Sequence, residues 1–238
     1  MEFFAVWASL LCQRTRGQNT ETMLLRRMQT LLAHLYDAPV EHEVQNFLFS
    51  DRRRLSAVMG ERADHMSDEQ VLMTHDEEGV RVGVFIDQRV LDRLSARDPL
   101  HALDDDNLPD YCTALEGVSH FHYLMWSLAR GRTVSLLELE LQAEVDKYAC
   151  ALALLLQQSG GRFPGSLHAR LFSAVSFLPQ TDAAVRRRYE EANRCAARYC
   201  RALDERYLRR RKSRPEAWIA ELRRFFRCGH HEKMRQLA

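Results

Sequence analysis

The fold is decided by residues 109–158, which read PDYCTALEGVSHFHYLMWSLARGRTVSLLELELQAEVDKYACALALLLQQ. This stretch predicts two helices, Asp110–Ala129 and Val134–Gln157, joined by a short turn at residues 130–132. In the first helix, apolar residues recur with the 3.6-residue period around Val118, and in the second a stripe of leucines repeats at three and four. This helical hairpin is therefore expected to form the centre of the hydrophobic core.

The same hairpin carries polar residues that packing alone does not require. Glu116 and His120 are four residues apart and project from one side of the first helix. Glu140 and Glu144 are one turn apart on the second helix and border its apolar stripe, where a carboxylate is costly unless it is paired or metal-bound. If the two pairs face each other, all four are candidate metal ligands. Glu116, His120 and Glu144 are then the candidate catalytic groups, with Glu144 as a general base.

The alternative interpretation is an ion-pair network, with Glu140 and Glu144 paired to Arg or Lys of a neighbouring helix and His120 as a surface or capping histidine. Helical di-iron sites use Glu-x-x-His at i,i+3, whereas Glu116 and His120 are spaced i,i+4, and one such histidine is present rather than two. The spacing thus favours ion pairs and leaves any cofactor unknown. His122 lies on the apolar face and is expected to be a hydrogen-bonded core histidine.

Composition supports a helical fold. The 238 residues suffice for a substantial core, and the low content of Pro and Gly favours helix. Alternating apolar residues predict one small β-hairpin at about residues 70–86, with strands at Gln70–Thr74 and Val80–Ile86. The fold class expected is mainly α, a bundle-like domain of several helices with this single hairpin.

The remaining elements are predicted from the spacing of apolar residues and from the Gly, Pro and capping residues that end helices. We expect a loose segment at 1–21, an acidic helical body at 22–158 and a basic helical region at 166–238 that packs on the body, with a Gly- and Pro-rich linker at 159–165. Further helices are predicted at Thr22–Tyr36, Val40–Met59 with a point of interruption at Ser50-Asp51, Gln88–Ala96, Leu167–Leu178, from Asp182 to about Arg211, and from Pro215 onward.

The charge distribution is uneven although the net charge is +1. Residues 182–238 hold 17 Lys and Arg against 8 Asp and Glu, which leaves the rest of the chain with 17 against 25. A basic region of this kind indicates an acidic partner or docking on the acidic body. The residues expected to bind an acidic partner are Arg187, Arg194, Arg198, Arg201, Arg209, Arg210, Arg211 and Lys212.

Other features narrow the class of protein. Six cysteines without a C-x-x-C motif predict reduced, mostly buried thiols and a cytoplasmic location. No segment is long enough to predict a membrane span, and the sequence contains no nucleophile elbow, zinc-protease helix, dinucleotide fingerprint or kinase signature.

These features support three hypotheses of function. The leading one is a cytosolic binding or regulatory protein that acts on a protein partner or as a homo-oligomer. The first alternative is an enzyme with the carboxylate–histidine site. The second is nucleic-acid binding through the arginine-rich helix, with Tyr207 as a stacking residue.

Overall fold

The computed structural model describes residues 20–60, 67–76, 79–173, 182–209 and 215–237. Within these ranges the fold is mainly α, as predicted, with a small mixed sheet. The expected loose segment at 1–21 lies almost wholly outside the described residues. The helices are α1 Thr20–Tyr36, α2 Arg52–Met59, α3 Gln88–Ala96, α4 Leu108–Leu128, α5 Leu136–Gln158, α6 Leu167–Phe172, α7 Ala183–Leu203, α8 Pro215–Arg227 and α9 His230–Leu237.

The predicted helical hairpin is present as α4 and α5, with ends within two residues of those expected. Pro109 fits the first turn of α4, where no backbone N–H is needed, and the Ser135 side chain caps α5 by accepting from the Glu138 N–H at 3.1 Å. Both helices are buried on more than one side because α1, the sheet and α7 surround them. Tyr123 and Ser127, on the side of α4 away from Val118, are also buried, and Tyr123 is covered by Phe226 of α8 and Lys233 of α9.

The predicted β-hairpin is confirmed as β2 Glu69–Asp76 and β3 Gly79–Ile86, paired antiparallel with Val71 opposite Val84. Its first strand begins one residue earlier than expected. That extension places Glu69 in the strand, and the sheet packs its β2 and β3 strands against α4.

The prediction of a helix at Val40–Met59 is wrong for its first half. The structure has a short 3₁₀ turn at Val44–Asn46 and a two-residue strand, β1 Leu48–Phe49, which pairs parallel to β3. The open edge of β3 explains the difference, because the Phe47 carbonyl accepts a hydrogen bond from the Val84 N–H at 2.9 Å. The helix begins only at Arg52, after the Asp51 side chain accepts from the Arg53 N–H at 2.8 Å.

The C-terminal helices pack on the rest of the molecule. Helix α7 lies along α5, and α8 lies against α1, where Tyr36 and Phe226 stack with ring centroids 4.2 Å apart. Helix α7 passes into a π-helical turn at Asp204–Leu208, and the helix that starts at Pro215 breaks at Cys228-Gly229 before α9 begins. Helix α6 is described as far as Phe172, so the predicted residues beyond 173 fall outside the described chain.

Buried apolar residues from α1, β3, the α4–α5 hairpin and the C-terminal helices form one continuous core. No helix among the described residues is long and apolar enough to cross a bilayer.

Candidate metal centre

His120 on α4 lies between two glutamates that come from different elements. Its Nδ1 atom is 3.3 Å from Oε1 of Glu69, at the start of β2, and its Nε2 atom is 3.3 Å from Oε2 of Glu140, on α5. All three residues are buried, with relative exposures of 5%, 5% and 6%. The expectation that His120 is a surface or capping histidine is therefore wrong, because the sheet and α5 cover that side of α4.

Glu116, His120 and Glu140 converge as the hairpin geometry predicts. One potential ligand atom from each residue lies within 4.8 Å of the other two. The two ring nitrogens of His120 differ, since Nδ1 is hydrogen-bonded to Glu69, whereas Nε2 faces Glu140 Oε2 at 3.3 Å in poorer hydrogen-bond geometry. A buried imidazole nitrogen that faces carboxylates can coordinate an ion when the ring is neutral, in place of its contact with Glu140.

Glu69 is the member of this cluster that the sequence did not reveal. It reaches His120 across Gly117, where an added Cβ atom would lie 3.0 Å from Glu69 Cγ. A glycine in the middle of a buried helix indicates a close approach by another group, since glycine costs about 1 kcal/mol there relative to alanine. Gly117 was thus the one signal of Glu69, but it does not say which residue approaches.

Glu144 does not touch His120 and instead shares a lysine with Glu116. Lys147 Nζ donates to Glu116 Oε2 at 2.9 Å and to Glu144 Oε1 at 2.7 Å. Part of the ion-pair interpretation is therefore correct, although the partner of Glu144 lies on its own helix. Glu140 does have a neighbour on another helix, with Arg188 Nε of α7 at 3.4 Å from its Oε1 atom.

Burial and charge act against each other at these groups. Burial raises the pKa of Glu69, with His120 opposing that shift, and burial also raises the pKa of Glu144. Burial acts in the same direction on Glu116, but Lys147 and His120 outweigh it and hold the pKa of Glu116 below its usual value. Glu69 and Glu140 overcome the burial of His120 and raise its pKa well above the usual value. The carboxylates thus outnumber the fixed cations, and the site attracts positive charge.

The ligand types define the ion that would fit. Two carboxylates and one imidazole form a mainly oxygen site with one nitrogen donor. This ligand set suits Mn²⁺, Fe²⁺ or Zn²⁺ better than Ca²⁺, which prefers oxygen ligands alone. Glu116, Glu140 and Nε2 of His120 would hold the ion, and Glu69 would orient the imidazole through its bond to Nδ1. Lys147 and Arg188 would contact the carboxylate ligands from outside.

A second buried polar network is built on the same two helices. Asp146 accepts hydrogen bonds from Tyr36 Oη, from Ser119 Oγ at 2.6 Å and from Gln142 Nε2 at 2.7 Å. Lys233 of α9 is fully buried and donates to Tyr123 Oη at 2.9 Å and to Gln142 Oε1 at 2.8 Å. This network was not predictable from local sequence pattern, because its lysine comes from a short helix far along the chain.

The predicted acidic-partner residues lie apart from this cluster where they are described. Arg187, Arg194, Arg198 and Arg201 are exposed on α7, and Arg194 pairs with Glu191 at 3.0 Å. Arg209 is also exposed, with its guanidinium over the Phe163 ring at 4.9 Å. Arg210, Arg211 and Lys212 lie outside the described residues.

Comparison of the chain with protein-family models, curated proteins and solved structures found no match. The site must therefore be interpreted from its own geometry.

Proposed function

We propose that this protein is a metal-dependent enzyme whose divalent ion is held by Glu116, Glu140 and Nε2 of His120, with Glu69 orienting the imidazole through Nδ1. The observation that carries the proposal is that ligand atoms of Glu116, His120 and Glu140 lie within 4.8 Å of one another, while Glu69 contacts the other ring nitrogen of His120. A bound ion of this kind acts as a Lewis acid on a coordinated oxygen or lowers the pKa of a bound water. The reaction class is that of metal-assisted chemistry at an oxygen-bearing substrate.

A charge count supports a divalent ion. With His120 neutral, the four carboxylates of Glu69, Glu116, Glu140 and Glu144 exceed the cations of Lys147 and Arg188 by two negative charges. A divalent ion brings this set to neutrality. Without an ion, protons on His120 and on a glutamate such as Glu69 or Glu144 supply the balance, because the pKa values of these groups are raised. Buried charge is costly unless it is matched, and a single divalent ion matches both excess charges at once.

Metal binding is the direct test. Protein purified without chelators or a histidine tag would be analysed for metal, stripped, and titrated with Mn²⁺ and Zn²⁺ by calorimetry. We expect wild-type protein to bind, and Glu140→Gln and His120→Gln to weaken the affinity by about 100-fold or more, because each removes a ligand. Glu138→Gln is the matched control, since Glu138 is equally buried but bonds to Tyr123.

Two outcomes would contradict the metal proposal. Wild-type protein that neither carries nor binds a divalent ion would show that the cluster is an ion-pair network. Equal affinity in wild type and Glu140→Gln, with the ion bound elsewhere, would do the same.

A second function rests on the exposed arginines of α7, and we propose that they bind an acidic protein partner. Arg187, Arg194, Arg198 and Arg201 fall within about 60° of one another around the helix and span about 21 Å along it. Such a strip attracts a surface of opposite charge and confers a regulatory or scaffolding role. The free thiols of the described cysteines support a reducing compartment, the cytoplasm, as the site of both functions.

The partner proposal is tested by charge reversal. A partner that co-purifies with wild-type protein at low salt should be lost from the double variant Arg194→Glu/Arg198→Glu, while metal binding stays unchanged. Recovery of nucleic acid instead of protein would favour the nucleic-acid alternative, and a concentration-dependent mass would indicate self-association. A monomer that retains no partner would contradict the proposal.

A further inference from the structure

Lys147 forms a bridge between two carboxylates, one of which belongs to the candidate metal centre. Its Nζ atom lies 2.9 Å from Glu116 Oε2 and 2.7 Å from Glu144 Oε1. The three side chains are mostly buried, with 13%, 19% and 14% of their surfaces exposed. Glu116 thus has one oxygen directed to the ammonium group, which leaves its other oxygen for an ion next to His120.

This arrangement corresponds to a known pattern with one cation exchanged. In two-metal sites, glutamates on facing helices of a bundle bridge two ions that lie about 3.5–4 Å apart. Here Glu116 and Glu144 also come from facing helices, α4 and α5, but the group between them is an ammonium.

We infer that Lys147 takes the place of a second metal ion, so that the centre holds one ion per chain and Lys147 positions Glu116 as a ligand of that ion. This inference rests on the proposed metal centre.

The charge of the cluster is consistent with a single ion. With His120 neutral, the positive charges of Lys147, Arg188 and one divalent ion together equal the negative charges of the four carboxylates, Glu69, Glu116, Glu140 and Glu144. A second divalent ion beside the ammonium would leave two excess positive charges in a mostly buried volume, which is unfavourable. The ammonium is also fixed within its own helix, because Lys147 follows Glu144 by three residues.

The test counts Mn²⁺ ions in the full-length protein. Equilibrium dialysis gives the number bound per chain, and electron paramagnetic resonance distinguishes an isolated Mn²⁺ from a spin-coupled pair. We expect wild-type protein to bind one isolated ion. Lys147→Met, which keeps much of the side-chain length but removes the charge, should weaken binding by about 10–100-fold or admit a second, coupled ion. Lys147→Arg retains a cation and should keep one ion near the wild-type affinity.

The possible outcomes distinguish this inference about Lys147 from the proposal of the metal centre on which it rests. Wild-type protein without any Mn²⁺ overturns the metal centre itself, and with it the inference. Two ions in the wild type, or one ion at wild-type affinity in Lys147→Met, overturn the role of Lys147 while the metal centre stands. If Lys147→Met fails to fold, Lys147→Gln takes its place, and the wild-type count remains decisive if neither variant folds.

Discussion

Glu69 lies directly against Gly117, so that a Cβ atom at position 117 would stand 3.0 Å from Glu69 Cγ and 3.4 Å from Val84 Cγ1. The glycine is what allows β2 to place a carboxylate beside His120. Helix α4 therefore contains a glycine, which is unfavourable at its centre, and the site contains the Glu69 carboxylate from β2.

Gly117→Ala tests this relationship. In open space the substitution should stabilise a helix by about 1 kcal/mol, but here Glu69 must shift, so we expect that gain to be offset and Mn²⁺ affinity to fall. Gly165→Ala is the control, since nothing lies within 4 Å of a Cβ atom there. A Gly117→Ala protein that is about 1 kcal/mol more stable and binds Mn²⁺ normally would refute the expectation.

Asp146 should be important for stability and not for the metal centre. Asp146→Ala leaves the buried donors of Tyr36, Ser119 and Gln142 without their acceptor, which should cost about 3 kcal/mol or more in the free energy of unfolding. Asp146→Asn, which keeps one acceptor oxygen, should cost less. Urea denaturation measures both, and a loss below 1 kcal/mol for the alanine variant would show that the network contributes little.

Lys233 should make stability depend on pH in the alkaline range. Burial lowers the pKa of Lys233 from 10.5 to about 7, so between these values the unfolded chain holds a proton that the folded protein has released. Stability contributed by this group therefore rises with pH from about 7 to about 10.5, by as much as ~5 kcal/mol. Lys233→Met removes that slope. Parallel stability curves of the two proteins over this range, measured by denaturation, would exclude the effect.

His122 should make stability depend on pH in the acidic range. His122 is buried in the core, as the sequence predicts, and the Ala38 backbone is its hydrogen-bonding neighbour, although neither ring nitrogen is well aligned with a partner among the described residues. Burial lowers the pKa of His122 from 6.5 to about 4, so the unfolded chain binds a proton first as the pH falls. Its contribution to stability should fall by about 3 kcal/mol between pH 6.5 and 4. His122→Leu should lose that dependence, and an unchanged acid slope would count against it.

The buried thiols should resist modification in the folded protein. Cys150 and Cys200 are 0% and 1% exposed, and burial raises the pKa of both thiols. Neither is expected to react with iodoacetamide at pH 8 in native buffer, whereas both should react in urea, because the thiolate is the reactive form. Mass spectrometry of the alkylated peptides gives the answer, and rapid labelling of Cys150 in native buffer would contradict the packing of α5.

The parts of this structure that follow from local pattern were predictable. The α4–α5 hairpin and the β2–β3 hairpin have periodicities that persist over many residues, so packing had little room to alter them. Strand β1 has two residues and depends on an open edge more than 30 residues away, which no local pattern contains.

The same distinction applies to the site. Glu116, His120 and Glu140 were predictable as a group because helix spacing fixes which side chains share a face. Glu69 arrives from the sheet, and Lys147 replaces the expected partner on a neighbouring helix, so both depend on tertiary packing. Lys233 was not predicted as a core residue because lysine is normally exposed, and its burial depends on acceptors from two other helices.

Lys233 bonds to Tyr123 and Gln142, which precede it by 110 and 91 residues. A growing chain on the ribosome therefore exposes the central helices long before their last polar partner has been synthesised. During that interval Tyr123 and Gln142 lack the donor that Lys233 supplies, so the native arrangement can be reached only near the end of translation. Premature termination before α9 should therefore yield a product that proteases remove.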